Sequence, residues 1–304
     1  MKFTVEYPIE RGPYAPEFLD PDALAEFART AEAAGFDAIA FSEHPAPSRK
    51  WIEAGGHDTF DPLAALAFCA AATSRIRLMT HLLVLPYHNP LQVAKTLATV
   101  DILSRGRLVV VAGTGYLRSE FAAVGVDFDQ RNTLFDEAVA AITTAWSGDA
   151  YAYQGRHFRA VDQVLRPRPL QQPHPPLWIG GNSPLTRRRV VRYGRGWSPM
   201  LTAGRHAPSL RTPPIDSIEE LAAAVTDLHA QLRDAGRQPD EVEIQLEAPT
   251  PAEAGGPADP AAHRETLQDY AKAGVTSALV HVPADSLENA LAAVRDYGAA
   301  AISA

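Results

Sequence analysis

One cysteine, Cys69, occurs in 304 residues. It excludes an intramolecular disulfide framework and any zinc or iron–sulfur site built from cysteines, and it points to a reducing compartment, so a cytoplasmic location is expected. Long apolar runs are missing too. No stretch approaches the roughly 18 consecutive apolar residues of a membrane span, and the opening MKFTVEYPIERGPY lacks the apolar core of a signal peptide. No membrane association is expected. Positive charge is scarce: 28 Lys and Arg stand against 36 Asp and Glu, for a formal net charge of −8. That leaves no general footprint for nucleic acid, and a small organic molecule becomes the expected partner.

What is present is an alternation. Strand patterns at residues 2–7, 37–42, 76–85, 108–112, 177–180, 196–200, 242–247 and 276–282 alternate with helical patterns at 21–34, 61–73, 90–104, 132–147, 184–194, 217–235, 261–273 and 286–300. Helix starts carry a capping side chain before proline at Asp20, Asp61, Asn89, Ser183 and Asp259, and capping-box spacing at Ser217 with Glu220 and Asp285 with Glu288. Eight strand–helix units, with no glycine fingerprint opening the first, predict an α/β chain folded as a (β/α)8 TIM barrel rather than an open doubly wound sheet. Residues 1–304 then form a single domain. Helix-to-strand connections are short, while the strand-to-helix loops at 8–20, 43–60, 113–131, 201–216 and 248–260 are long. Long loops of this kind lie at the C-terminal face of such a barrel, where its active sites sit. Residues 148–176 interrupt the pattern before strand five and read as an insertion with a small hairpin. The low-complexity stretch 248–260 reads as either a lid or a plain loop.

Several strand ends carry candidate chemistry. Gly180, Gly181, Asn182 and Ser183 join a buried strand to a helix, a place where glycines admit a ligand and a helix start favours a phosphate. Arg187, Arg188 and Arg189 in the same helix invite a neutralising anion, although a tight turn with a solvated arginine face explains the same residues. Glu43 and His44 leave strand two where acid–base groups belong, with a structural hydrogen bond as the plainer reading. Thr80 and His81 interrupt an aliphatic strand, so they either pair in the core or touch a ligand. Gly113 and Gly115 permit close approach after strand four, and Glu120 follows. Cys69 falls on the apolar face of its helix and reads as a core residue. His57 and Asp58 have no metal-ligand spacing around them, and no metal is expected.

Together, GFDAIAFSEH (35–44), the segment 76–131 around AGTGYLRSEF, and RPRPLQQPHPPLWIGGNSPLTRRRVVRYGRGWSP (166–199) resemble the bacterial luciferase-like monooxygenase family, in its F420-dependent oxidoreductase branch. The resemblance implies a TIM barrel that binds coenzyme F420 or FMN with the ring in the barrel mouth and the phosphate at Gly180 to Ser183. It implies that His44 lies near ring and substrate with Glu43 beside it. Thr80, His81 and Leu82 would form a strand-three bulge behind the ring, often with a non-prolyl cis peptide, and Gly113, Thr114 and Gly115 would approach the cofactor. Sugar-phosphate dehydrogenases of this family carry a catalytic glutamate where this chain has Tyr116, which argues against that activity. Arg187 and its neighbours suit the oligoglutamate tail of F420. The implied reaction is hydride transfer between F420 and a small organic substrate, with His44 or Tyr116 moving the proton. The alternatives are an FMN-dependent two-component monooxygenase and a non-catalytic flavin- or deazaflavin-binding protein. A hydrolase using Glu43 and Glu120 would need its carboxylates about 5 to 9.5 Å apart. Relatives of this kind are often homodimers.

Overall fold

Eight short strands, most of them aliphatic and small-residue runs, pair edge to edge in parallel: β1 (Lys2–Glu6), β2 (Ala38–Phe41), β3 (Arg77–Val84), β4 (Leu108–Gly113), β7 (Leu177–Gly180), β8 (Gly196–Ser198), β9 (Glu243–Glu247) and β10 (Ser277–Val280). They close into a barrel in that order, and β10 returns to β1 with Lys2 opposite Ser277. The structure is a computed structural model that describes residues 1–148, 150–202, 210–248 and 260–302. The expected cap at Asp259, most of the stretch 248–260 and part of the loop 201–216 lie outside the described residues. Within residues 148–176, β5 (Tyr151–Gln154) and β6 (Arg159–Gln163) form an antiparallel hairpin. No helix among the described residues is long and apolar enough to cross a membrane.

The helices between the strands are α1 (Pro21–Ala33), α3 (Pro62–Ala72), α4 (Pro90–Leu103), α6 (Arg131–Ser147), α7 (Pro184–Tyr193), α8 (Ile218–Asp234), α9 (Pro260–Lys272) and α10 (Leu287–Tyr297). Proline fixes the first helical φ where no N–H is needed, and the preceding side chain takes an orphan amide. Asp20, Asp61, Asn89 and Ser183 each do this. Ser286, one residue after the expected Asp285, caps α10, while Asp285 bonds the Asn289 side chain instead. Two short helices in mouth loops, α2 (Arg49–Glu53) and α5 (Arg118–Ala123), were not expected from the pattern. Five or six residues are too few to display a helical period.

Strand alternation divides the core. Residues such as Val5, Ile39, Leu78, Val110 and Ile179 pack outward under the helices, whereas Ala38, Ala40, Met79, Val109, Val111, Trp178 and Leu279 fill the barrel. A Cβ at Gly196 would lie 2.2 Å from the Trp178 ring, so the neighbouring strand must be bare there. Cys69 is buried on α3 in the outer layer, and burial pushes its thiol up to about 12.

Glu32, in the last turn of α1, fastens the entry to β3. Its carboxylate accepts the N–H groups of Ser74, Arg75 and Ile76 and the Ser74 hydroxyl. Burial opposes the charge, but the three amide donors outweigh it and hold the carboxyl down at about 2. A folded-state value below the unfolded 4.5 stabilises the fold above pH 4.5, and that contribution is lost as pH falls towards 2. We expect Glu32→Ala to cost about 1–3 kcal/mol in urea denaturation at pH 7. The gap to wild type should narrow as pH falls from 4.5, and a constant gap would contradict this account.

Candidate functional site

The period of two brings Glu6, His81, Ser198, Glu247 and His281 to the barrel mouth from the C-terminal ends of five strands. His81 Nδ1 lies 3.4 Å from Glu6 Oε1 and His281 Nδ1 lies 3.1 Å from Glu6 Oε2. The other His81 nitrogen is 3.1 Å from the Ser198 hydroxyl. Burial works against the Glu6 charge, yet the two imidazoles hold its carboxyl far below the ordinary range. His281 Nε2 lies 2.8 Å from Glu247 Oε1 at an angle that makes no hydrogen bond, so both imidazole nitrogens face carboxylates. Glu247 also pairs with Arg11. Sequence reasoning missed Glu6, Ser198, Glu247 and His281, although alternation along the expected strands points to them.

His44, just beyond β2, forms the second centre. Its Nδ1 is 3.0 Å from Oε2 of Glu120, a residue of α5 that is 1% exposed. Glu120 also accepts the Ala46 N–H at 3.1 Å and the Tyr87 hydroxyl at 3.2 Å. An acceptor-only carboxylate fixes the Nδ1–H tautomer and leaves Nε2 as the working nitrogen. Trp51 from α2, His57 and Tyr116 surround the ring, with centroids 4.4, 5.2 and 6.1 Å away. Burial pushes the Tyr116 phenol up to about 12, with Glu120 adding to it and a hydrogen bond with Trp51 opposing it.

The Glu43 side chain does not join His44, contrary to the expectation from sequence. Neighbours in an extended segment point opposite ways, and Glu43 turns towards β3, where it accepts Val84 N–H at 2.6 Å and lies 2.7 Å from His88 Nε2. Glu43 is thus engaged by the Val84 amide and His88, and Glu120 by His44, Tyr87 and the Ala46 amide. Thr80 is corrected as well: its hydroxyl donates to Val111 O at 2.8 Å and is fully buried. The bulge itself is present. The His81–Leu82 peptide is cis, and the register of β3 against β4 shifts between Thr80 and Leu83.

Gly113 and Gly180 answer to a side chain. A Cβ on either would lie 2.5 or 2.4 Å from a Leu82 methyl, so both glycines make room for Leu82, not directly for a ligand. Gly115, at φ +72, is backed by Val84 and Phe121, and Thr114 between them is half-buried. At the β7 end, Gly181 N–H bonds Ser198 O and Asn182 N–H bonds the Thr212 hydroxyl. The Asn182 side chain clamps Met200 and Pro213, and Ser183 caps Thr186. The expected arginine cluster is also corrected. Arg187 pairs with Asp227 at 3.0 Å and bonds Asn182 O, while Arg189 makes a two-pronged pair with Asp136 over the Phe135 ring. Helical spacing sends these two side chains to different neighbours, each supplying a carboxylate. Among the described residues, no group of three or more His, Cys, Asp or Glu is arranged to hold a metal ion.

Residues 1–300 match the family described as luciferase-like monooxygenase. The chain belongs to that family. It is 30% identical over 235 residues to an F420-dependent glucose-6-phosphate dehydrogenase of Microbacterium testaceum, covering 76% of this chain and 64% of the relative. It is 31% identical over 157 residues to an FMNH2-dependent dimethylsulfone monooxygenase of Pseudomonas putida, covering 51% of this chain and 42% of that one. The alignments therefore span between 42% and 64% of these curated relatives. The crystal structure of monooxygenase RslO1 from Streptomyces bottropensis superposes with a TM-score of 0.84 at 22% identity, covering 100% of this chain and 99% of that one, a likeness of fold.

In this luciferase-like mouth a third carboxyl sits close to Glu6. Glu10, buried in a turn after β1, accepts Ser42 N–H at 3.1 Å and the hydroxyls of Ser42 and Thr59, with His57 Nδ1 at 3.9 Å. Burial and the Glu6 charge push it up to about 8. A folded-state value above the ordinary 4.5 means its stabilising share is full below pH 4.5 and is lost as pH rises through 8. We expect Glu10→Gln to gain stability relative to wild type between pH 5 and pH 9 in thermal melts. A difference that does not change with pH would show that Glu10 is charged throughout.

Proposed function

We propose that the protein is an F420-dependent oxidoreductase that transfers a hydride between coenzyme F420 and a small organic substrate held in the barrel mouth. The observation that carries this reading is the His44–Glu120 pair, set among Trp51, His57 and Tyr116 at the strand ends. The mouth also fits a flat heteroaromatic group. Leu82 offers an apolar shelf, while the Ser198 hydroxyl offers a polar contact at its edge. F420 is favoured over FMN because the F420-dependent relative aligns over 76% of this chain and the FMNH2-dependent one over 51%.

When bound, the deazaflavin supplies a two-electron hydride donor or acceptor. The chain supplies the proton and the surroundings. Glu120, braced by Tyr87 and the Ala46 amide, orients the imidazole, so Nε2 is placed to exchange a proton with the substrate oxygen or carbon. Tyr116 stays protonated near neutrality and donates a hydrogen bond without taking the proton. Trp51 and Tyr116 limit the access of water.

The FMN-dependent monooxygenase is the second reading, on the strength of the Pseudomonas putida relative. Titration of the apo-protein with each oxidised cofactor separates the two. F420 binding with weak or no FMN binding is expected, and the reverse would overturn the preference. His44→Ala should lower turnover by about 10²–10⁴-fold and leave cofactor affinity nearly unchanged. Cofactor binding without turnover in the wild type would favour a non-catalytic binding protein.

A further inference from the structure

Two adjacent glycines close the short helix α2, and they answer to different constraints. Gly55 stands at φ +94, a conformation that residues with a Cβ rarely adopt, so the turn itself requires glycine there. Gly56 has no such φ. Its bareness has another cause. A Cβ at Gly56 would lie 2.3, 2.5 and 2.7 Å from three carbons of the Trp51 ring, so the indole rests directly on the Gly56 backbone.

The backbone of Trp51 is pinned within the same turn. Its N–H donates to the Ser48 hydroxyl at 3.3 Å, and its carbonyl accepts the Gly56 N–H at 3.0 Å. The indole ring then meets the His44 ring at 4.4 Å and the His57 ring edge-on at 5.3 Å, centroid to centroid. Its N–H, a donor only, hydrogen-bonds with Tyr116 and leaves the phenolic hydrogen free to donate elsewhere. One side chain therefore touches both His44 and Tyr116. An alanine at position 56 would force the rigid ring to move by about 1 Å to restore ordinary contact. His44 does not follow such a move, because Glu120 holds its Nδ1 at 3.0 Å.

We propose that Gly56 is a positioning residue for the mouth: its bare Cα seats the Trp51 indole against His44 and Tyr116 and so fixes one wall of the substrate space. That this wall borders a substrate rests on the proposed function, whereas the seating is independent of it.

Indole emission reads the seating without cofactor or substrate, because an imidazole in contact with an indole quenches it on protonation. Trp146, Trp178 and Trp197 are buried away from the mouth, and the Trp51 component is the emission lost in Trp51→Leu. That component should dim as pH falls through the imidazole range, from about 8 to about 5. His44→Ala should abolish the dimming, His57→Ala should leave most of it, and Gly56→Ala, referred to Gly56→Ala/Trp51→Leu, should remove most of it. No dimming in wild type, undiminished dimming in Gly56→Ala, or dimming that depends on His57 and not His44 would each overturn the seating.

Thermal melts separate seating from a need of the backbone. Gly56→Ala should lower the melting temperature when Trp51 is present and raise it in the Trp51→Leu background, where alanine only restricts the unfolded chain. An equal loss in both backgrounds would overturn the assignment. With reduced F420 and a set of small ketones and enones as acceptors, Gly56→Ala should lower turnover about 10- to 100-fold and leave F420 affinity within about twofold. Dimming lost with turnover intact would overturn the role of the wall in the reaction. A wild type that neither binds F420 nor passes its hydride to any acceptor would overturn the F420 reading, while the emission series still decides the seating.

Discussion

Closing a parallel sheet on itself forces every second residue of each strand into one shared interior, and the arrangement of the site follows from that. At the N-terminal end, Arg77 reaches Glu243 and lies over the Trp178 ring. In the middle, Gln245 bonds the Thr4 hydroxyl next to Met79, and Trp178 takes the volume left by Gly196. One step further along the same strands, Glu6, His81 and His281 meet at the mouth. No loop has to fold over them to bring these groups together.

Packing several acids into one buried mouth means that they cannot share one state. Glu6 faces two imidazoles and keeps its charge. Glu10, with hydroxyl and amide donors but with Glu6 as a neighbour, is pushed the other way. Burial raises both carboxyls, and the neighbours decide the difference. Glu120 is removed from that competition by its own cage of His44, Tyr87 and the Ala46 amide. The mouth therefore contains one histidine held by a dedicated carboxylate and two others tied to Glu6.

The barrel was legible because strand and helix periods alternate cleanly and capped prolines mark the helix starts; each expected strand lies within two residues of the observed one. The bulge at Thr80 to Leu82 was legible only through family resemblance. Contacts between distant segments were not legible. Arg187 and Arg189 looked unpaired because their partners are 40 and 53 residues away in sequence. His44 was found without its partner Glu120, 76 residues on, and Trp51 was hidden in a helix too short to announce itself.

The glycines at the strand ends change meaning in the same way. A glycine at such a place suggests a ligand pressed against backbone, yet Gly113 and Gly180 are bare because Leu82 from the bulge occupies the space above both. Under the proposed function, the surface that would meet the ring is then an apolar side chain, which contributes shape and dispersion but little discrimination between one flat heteroaromatic group and another. Under that reading discrimination would come from polar groups around the shelf, the Ser198 hydroxyl held by His81 among them.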